Sequence, residues 1–262
     1  MIDKLENTVI NVSDNDLNDY FYNEISSICL DNGGDIGTII DIDLKELFKQ
    51  LPPIHITGDG KTAQNLFNDY SALIKIGKIT NDEINNMSYM FHGCQSLEDV
   101  DLSELNTSNV TDMSSMFSNC YNLKNLDLSN FNTSNVTDMS GMFQNSESLT
   151  NVILSSFDTS KVTTMRNMFA NYFCERTALL KSLDLSNFNT SNVTDMSSMF
   201  DGRQALMNLN ISNFDFTNVT SYSNMFDNVP TDCYILVKDA TAKEWITSKF
   251  PDLTNVHYVG EE

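Results

Sequence analysis

The 262-residue sequence offers few side chains spaced for reaction chemistry, and Gly58-Asp59-Gly60-Lys61-Thr62 comes nearest. A phosphate-binding loop ending in Gly-Lys-Thr needs a glycine five residues before Gly60, and position 55 is His. A turn feeding a helix over 63–70, capped by Thr62 or Asp59, accounts for the same residues. His55, His92 and His257 are the three histidines, and none stands beside a serine or cysteine in a nucleophile motif. The five cysteines, Cys29, Cys94, Cys120, Cys174 and Cys233, are odd in number, widely spaced and without a Cys-x-x-Cys pair. That pattern suits neither a disulfide framework nor structural zinc, so Cys94 and Cys120 read as small apolar core residues. No catalytic residue, no metal site and no cofactor is expected, and an enzyme is not the expected class.

The polar residues that do recur at fixed spacing belong to a different kind of chemistry. Asp101, Asp127, Ile153, Asp184 and Asn210 succeed one another, each followed two residues on by a serine: Ser103, Ser129, Ser155, Ser186 and Ser212. On parallel strands about 4.8 Å apart they would form a polar row roughly 20–25 Å long on a concave sheet, sized for a glycan chain or a peptide. The candidate ligand-binding residues are therefore Asp101, Ser103, Asp127, Ser129, Asp184, Ser186, Asn210 and Ser212. Ile153 interrupts the carboxylates, and neither a glycine-rich nonapeptide nor EF-hand spacing is present, so a solvated polar face is favoured over a calcium site.

The elements that must position this row come from an internal repeat. Units begin at Met90, Met116, Met142, Met168 and Met199, with a partial one at Met225; the steps are 26 residues except for 31 in the fourth unit. Residues 66–89 read as a degenerate leading unit. Within a unit the pattern Leu-x-x-Leu-x-Leu-x-x-Phe, as in Leu123, Leu126, Leu128 and Phe131, fits a leucine-rich repeat, with Leu-Asp-Leu as a short strand. Val136, Met139, Met142 and Phe143 step by three or four, which predicts a short helical segment. Thirteen methionines fall mostly in pairs at this spacing, from Met87/Met90 to Met196/Met199, and read as a packed ladder. Asn-Thr-Ser-Asn-Val-Thr-Asp turns join the two segments; their Asn-x-Ser/Thr sequons follow from the turn chemistry. Stacking such units buries one continuous core.

These strings resemble the BspA-like class of leucine-rich repeats, the domain-of-unknown-function family numbered 285, over about 160 residues. The carrier of the resemblance is the recurring Leu-Asp-Leu-Ser-x-Phe-Asn-Thr-Ser-x-Val-Thr-x-Met-x-x-Met-Phe. It implies an α/β, right-handed leucine-rich-repeat solenoid, with one parallel strand and one short helix per 26-residue unit. It also implies a setting, since relatives occur in bacterial and mycoplasmal surface lipoproteins and adhesins and in structural proteins of phages. No secretion signal is legible at Met1-Ile2-Asp3-Lys4, which favours the phage branch: a virion surface protein, with a bacterial cell-surface adhesin as the alternative. The implied partners are other virion or surface proteins and a host-surface glycan or protein.

Three regions are expected: 1–65 as a small α/β docking or capping piece, 66–229 as the repeats, and 230–262 as a β-α-β cap. In the first, Leu17, Tyr20, Phe21, Ile25 and Ile28 suggest an amphipathic helix behind Ser13, followed by a strand or helix start at 39–44. In the last, 233–237 and 255–259 read as strands flanking a helix that starts at a Thr241-x-x-Glu244 capping box and stops before Pro251. With 36 acidic against 15 basic residues, the chain has a formal charge of −21, which weighs against nucleic acid and anionic lipid as partners. Nor does any apolar run reach the roughly 18 residues needed to cross a bilayer.

Overall fold

The computed structural model describes residues 10–13, 50–51, 53–57, 62–172 and 179–261. The expected helix over 17–28, the segment 39–44, the turn at 58–61, Cys29 and Cys174 lie outside the described residues. The chain winds into a parallel β-solenoid of about seven turns. One column of in-register residues, Thr62, Asn86, Asp112, Asp138, Thr164, Asp195 and Ser221, marks each turn once.

Among the described residues the strands are β1 (Ile10–Ser13), β2 (Gln50–Leu51), β3 (Ile54–Thr57), β4 (Lys75–Ile76), β5 (Ile79–Asn81), β6 (Asp99–Val100), β7 (Asn125–Asp127), β8 (Asn151–Ile153), β9 (Ser182–Asp184), β10 (Asn208–Ile211), β11 (Tyr234–Val237) and β12 (Val256–Tyr258). A helix, α1 (Ala240–Lys249), lies between the last two. All pairings are parallel, in the orders β1-β3-β5, β2-β4-β6, β7-β8 and β9-β10-β11-β12. Ser13, expected to cap a helix, is instead the last residue of β1. The first three strands thus extend the columns that the repeats continue.

Period-two alternation explains the repeat strands: Leu126 and Leu183 are buried between exposed neighbours, and Leu209 between exposed Asn208 and half-buried Asn210. Beneath them run the paired methionines, all fully buried, and a file of phenylalanines, Phe67, Phe91, Phe117, Phe143, Phe169, Phe200 and Phe226. Successive rings of that file lie nearly parallel with centroids 5.2–6.1 Å apart.

The methionine segment departs from the expected helix. It is a chain of tight turns, closed by bonds such as Met116 N to Met113 O (3.3 Å), with alternate amides donated to the next turn: Met87 to Asp112 O, Tyr89 to Ser114 O, Phe91 to Met116 O. A helix would have kept those amides for itself. Two left-handed residues in every unit but the fourth, which has Asn167 alone, enforce the difference, for example Ser115 (φ 54°) with Asn119 (φ 60°), and Gly141 (φ 62°) with Asn145 (φ 55°). Such backbone suits Gly, Asn and Asp, and Ser115 and Ser198 adopt it in two units. The proposed helix over 63–70 fails likewise, because Asn65 and Asp69 have φ of 60° and 62°; Thr62 Oγ1 accepts from Gln64 N in a local turn.

Tyr89 is the misfit at φ 57°, where Asn65, Asn167 and Asn224 serve in other units. Exchanging Tyr89→Asn is expected to raise stability by about 0.5–1 kcal/mol, since the left-handed form costs ordinary residues roughly 1–2 kcal/mol. A urea midpoint unchanged or lowered would refute that.

The first, second and fourth units bend at three Asx-type corners, in which an Asp or Asn Oδ1 accepts from the amide two residues on. In the second full repeat these are Asp127/Ser129 (2.9 Å), Asn132/Ser134 (3.1 Å) and Asp138/Ser140 (2.8 Å). Buried threonines clip neighbouring turns: Thr133 Oγ1 donates to Asp158 O (2.9 Å) and accepts from Asp158 N (2.8 Å). Thr107 and Thr190 do the same. In the last unit Phe216 takes that threonine's place and stacks on Trp245 of α1 at 4.3 Å, joining the cap to the repeats. The expected β-α-β cap is present, but its helix is capped by Asp239, which accepts from Ala242 N at 2.9 Å. Thr241 lies inside the first turn, so the Thr241/Glu244 capping box is not formed; a carboxylate two residues earlier holds the amide better than a threonine hydroxyl.

Candidate functional site

The strand face carries the predicted row. Asp127 pairs in register with Ile153, and Asp184 with Asn210, so the row lies on one side of the sheet. Asp101 follows β6 directly, and with Ser103, Asp127, Ser129 and Ile153 it lines a shallow groove of about 320 Å³. Ser186 and Ser212 sit farther along the same corner, beside Asp184 and Asn210. The row is thus brought together as two blocks: Asp101 to Ile153 in the groove, then Asp184 and Asn210 on β9 and β10.

What the sequence pattern did not reveal is the structural duty of these side chains. Each acidic or amide member accepts from the serine two residues on: Asp101 from Ser103 N (3.1 Å), Asp127 from Ser129 N (2.9 Å), Asp184 from Ser186 N (2.9 Å) and Asn210 from Ser212 N (3.1 Å). Hydrogen bonds from Ser103 hold the Asp101 carboxyl below the ordinary range, with Lys78 and Lys75 adding to the effect; Ser129 does the same for Asp127. One carboxylate oxygen therefore closes a corner, and the second is left to face solvent.

A second row was missed. Residues two positions earlier share the face by the same alternation: Asp99, Asn125, Asn151, Ser182 and Asn208. Asp99 is paired with Lys75 Nζ at 2.7 Å. The side chains of Asn125 and Asn151 are exposed and hold no hydrogen bond to any described residue, and both line the groove. Farther along, Tyr234 is exposed and stacks on His257 at 5.0 Å. The face accordingly offers amides and carboxylate oxygens around one exposed isoleucine.

The histidines and the described cysteines have partners of their own. His55 Nδ1 lies 2.8 Å from Thr80 Oγ1, and His257 Nε2 2.8 Å from Asn255 Oδ1. Cys94 and Cys120 are buried and donate to Phe67 O and Phe91 O, both at 3.1 Å. Burial pushes the Cys120 thiol up and raises that of Cys233 to about 11, which suppresses the thiolate. No group of three or more metal-binding side chains occurs among the described residues, and no helix among them is long and apolar enough to cross a membrane.

No curated protein matches the chain. A family profile, described as Mycoplasma protein of unknown function, DUF285, matches residues 61–177 and again 154–258. The two matches overlap from the third unit into the start of the fourth and run through α1 into β12, covering well over half the sequence. By the repeat, by the solenoid it builds and by that match, the chain belongs to the DUF285 family.

Proposed function

We propose that this is a non-enzymatic surface protein of a phage particle, whose solenoid presents the strand face to a glycan or protein on the host surface. The observation that carries the reading is the groove around Ile153, where Asn125 and Asn151 project with their hydrogen-bonding capacity unspent while the aspartates beside them close the corners. Docking to other virion proteins is assigned to the N-terminal 65 residues. A bacterial cell-surface adhesin is the second reading, favoured by the family description, which names a bacterium.

Mass spectrometry of purified virions and of washed cell envelopes separates the two readings: presence in virions supports the first, and presence in envelopes alone overturns it. For the face, Asn125→Lys with Ile153→Lys is the informative variant, because neither residue holds a corner. Asp127→Lys would break a turn as well as a site. Adsorption to host cells is expected to fall at least tenfold in the double variant at unchanged thermal stability; unaltered adsorption would remove this face as the contact.

A further inference from the structure

A file of polar side chains crosses the solenoid beside the phenylalanines, and its hydrogen bonds run in one direction. At its far end the backbone amide of Tyr172 donates to Asn145 Oδ1 at 2.9 Å. A backbone N–H can only donate, so the Asn145 amide is fixed: its Nδ2 faces the turn below and donates to Asn119 Oδ1 at 2.8 Å. That fixes Asn119 in turn, whose Nδ2 meets His92 Nε2 at 3.0 Å. Nε2 must accept, the ring proton sits on Nδ1, and Nδ1 donates to Asn68 Oδ1 at 2.8 Å. One backbone amide thereby sets the tautomer of a histidine three turns away.

We propose that this ladder is an acid-sensitive latch: neutral His92 holds Asn119, Asn145 and the amide of Tyr172 in line, and a proton on Nε2 releases Tyr172. Protonated, Nε2 and Asn119 Nδ2 are two donors face to face. Flipping Asn119 relieves that contact but turns Asn119 Nδ2 towards Asn145 Nδ2, and flipping Asn145 sets its NH₂ against the Tyr172 amide. The conflict can move along the file but not leave it while Tyr172 stays bonded. Tyr172 opens the stretch that gives the fourth unit its five extra residues, so the released bond lies where the repeat is already irregular.

The groups that face the ring are few. Asp69, on the turn below, lies 3.8 Å from Nδ1 and favours the cation. Asn68 and Asn119 present the amides described, and the Tyr89 ring meets the imidazole edge-on at 5.5 Å. Burial outweighs Asp69 and lowers the affinity of His92 for a proton below that of a free histidine. The sign follows. The unfolded chain binds this proton more readily, so the contribution of His92 to stability is complete above the ordinary value of about 6.5 and is lost as pH falls towards the depressed folded value.

The test is an amide-resolved pH titration of the full chain from 8 to 5, with the His92 ring followed in the same samples. Corrected for intrinsic exchange, hydrogen exchange at Tyr172 is expected to rise roughly tenfold with the midpoint of the His92 ring, the equivalent of one net hydrogen bond. In His92→Gln that rise is expected to vanish. Asn145→Gly cuts the file yet keeps the left-handed backbone (φ 55°), and it serves if His92→Gln does not fold; there the ring is expected to titrate at a higher pH, with Tyr172 indifferent to it. A Tyr172 amide that ignores the ring in the parent chain, or that responds equally in either variant, would overturn the latch.

Discussion

Replacing Arg203 with alanine is expected to cost about 3–5 kcal/mol, the range for removing one partner of a buried charge arrangement. Arg203 is fully buried in the fifth unit, at the position filled by Cys94, Cys120 and Ser146 in earlier ones. Those three side chains donate to the carbonyl of the phenylalanine one turn below: Phe67, Phe91 and Phe117. The fourth unit breaks the series, because Tyr172 is exposed and its hydroxyl donates to Asn167 Oδ1 at 2.7 Å. The carbonyl of Phe143 is therefore left without its donor from the turn above. Arg203 reaches across the gap: Nε donates to Phe169 O, and Nη2 to Phe143 O at 3.2 Å, while Nη1 lies 3.4 Å from Ser146 O. Desolvation drops its pKa to about 10, partly offset by buried Glu147, so the guanidinium is still charged at neutral pH.

Denaturant unfolding with Arg203→Ala and Arg203→Cys divides the effect. Cysteine restores the repeat's own donor to Phe169 O but leaves Phe143 O with only the Ser146 amide, 3.3 Å away, and is expected to recover part of the loss, with about 1–3 kcal/mol still missing for the buried groups that Arg203 served. A loss below about 1 kcal/mol for alanine would mean that the side chain is not what satisfies those carbonyls.

The same residue shows what the sequence discloses and what it hides. Repeat length, strand position and the buried methionine pairs were legible because stacking imposes one period on every unit, and a period survives substitution. The shape of the methionine segment was not, because apolar residues three and four apart suit a helix and a chain of tight turns equally. The deciding signal sat at the polar positions instead: Asn119, Asn145, Gly93 and Gly202 three residues after the unit's leading methionine, and Ser115, Gly141 and Asn167 one before it. The polar row was legible as far as its register. The corners were also written in the sequence, as Asp-Leu-Ser, Asn-Thr-Ser and Asp-Met-Ser, but a spacing that could bind a ligand and a spacing that closes a turn look alike until the hydrogen bonds are drawn. Arg203 becomes conspicuous only once the units are aligned and a cation is seen at a core position, one unit after the irregular one.

Phe143→Ala is expected to cost about 3–5 kcal/mol, the range for deleting a buried aromatic ring. Phe143 is fully buried between Phe117, 6.0 Å away, and Phe169, 5.3 Å away, so its removal breaks two stacked contacts and opens a cavity inside the file. Phe226 is the informative contrast, for it ends the file: it stacks on Phe200 at 5.5 Å on one side and meets Phe250 of the cap edge-on at 5.0 Å on the other. If stability is a sum of turns and their nearest-neighbour interfaces, the two alanines act on different parts of the molecule. Native-state hydrogen exchange is then expected to show Phe143→Ala lowering protection in the turns on both sides of the third unit. Phe226→Ala is expected to lower it in the last turn and the cap while leaving Phe91 and Phe117 protected as in the parent chain. Equal loss of protection throughout for both variants would show instead that the solenoid unfolds as one unit, and that the continuous file of rings and clipped carbonyls couples its ends more tightly than neighbour contacts alone allow.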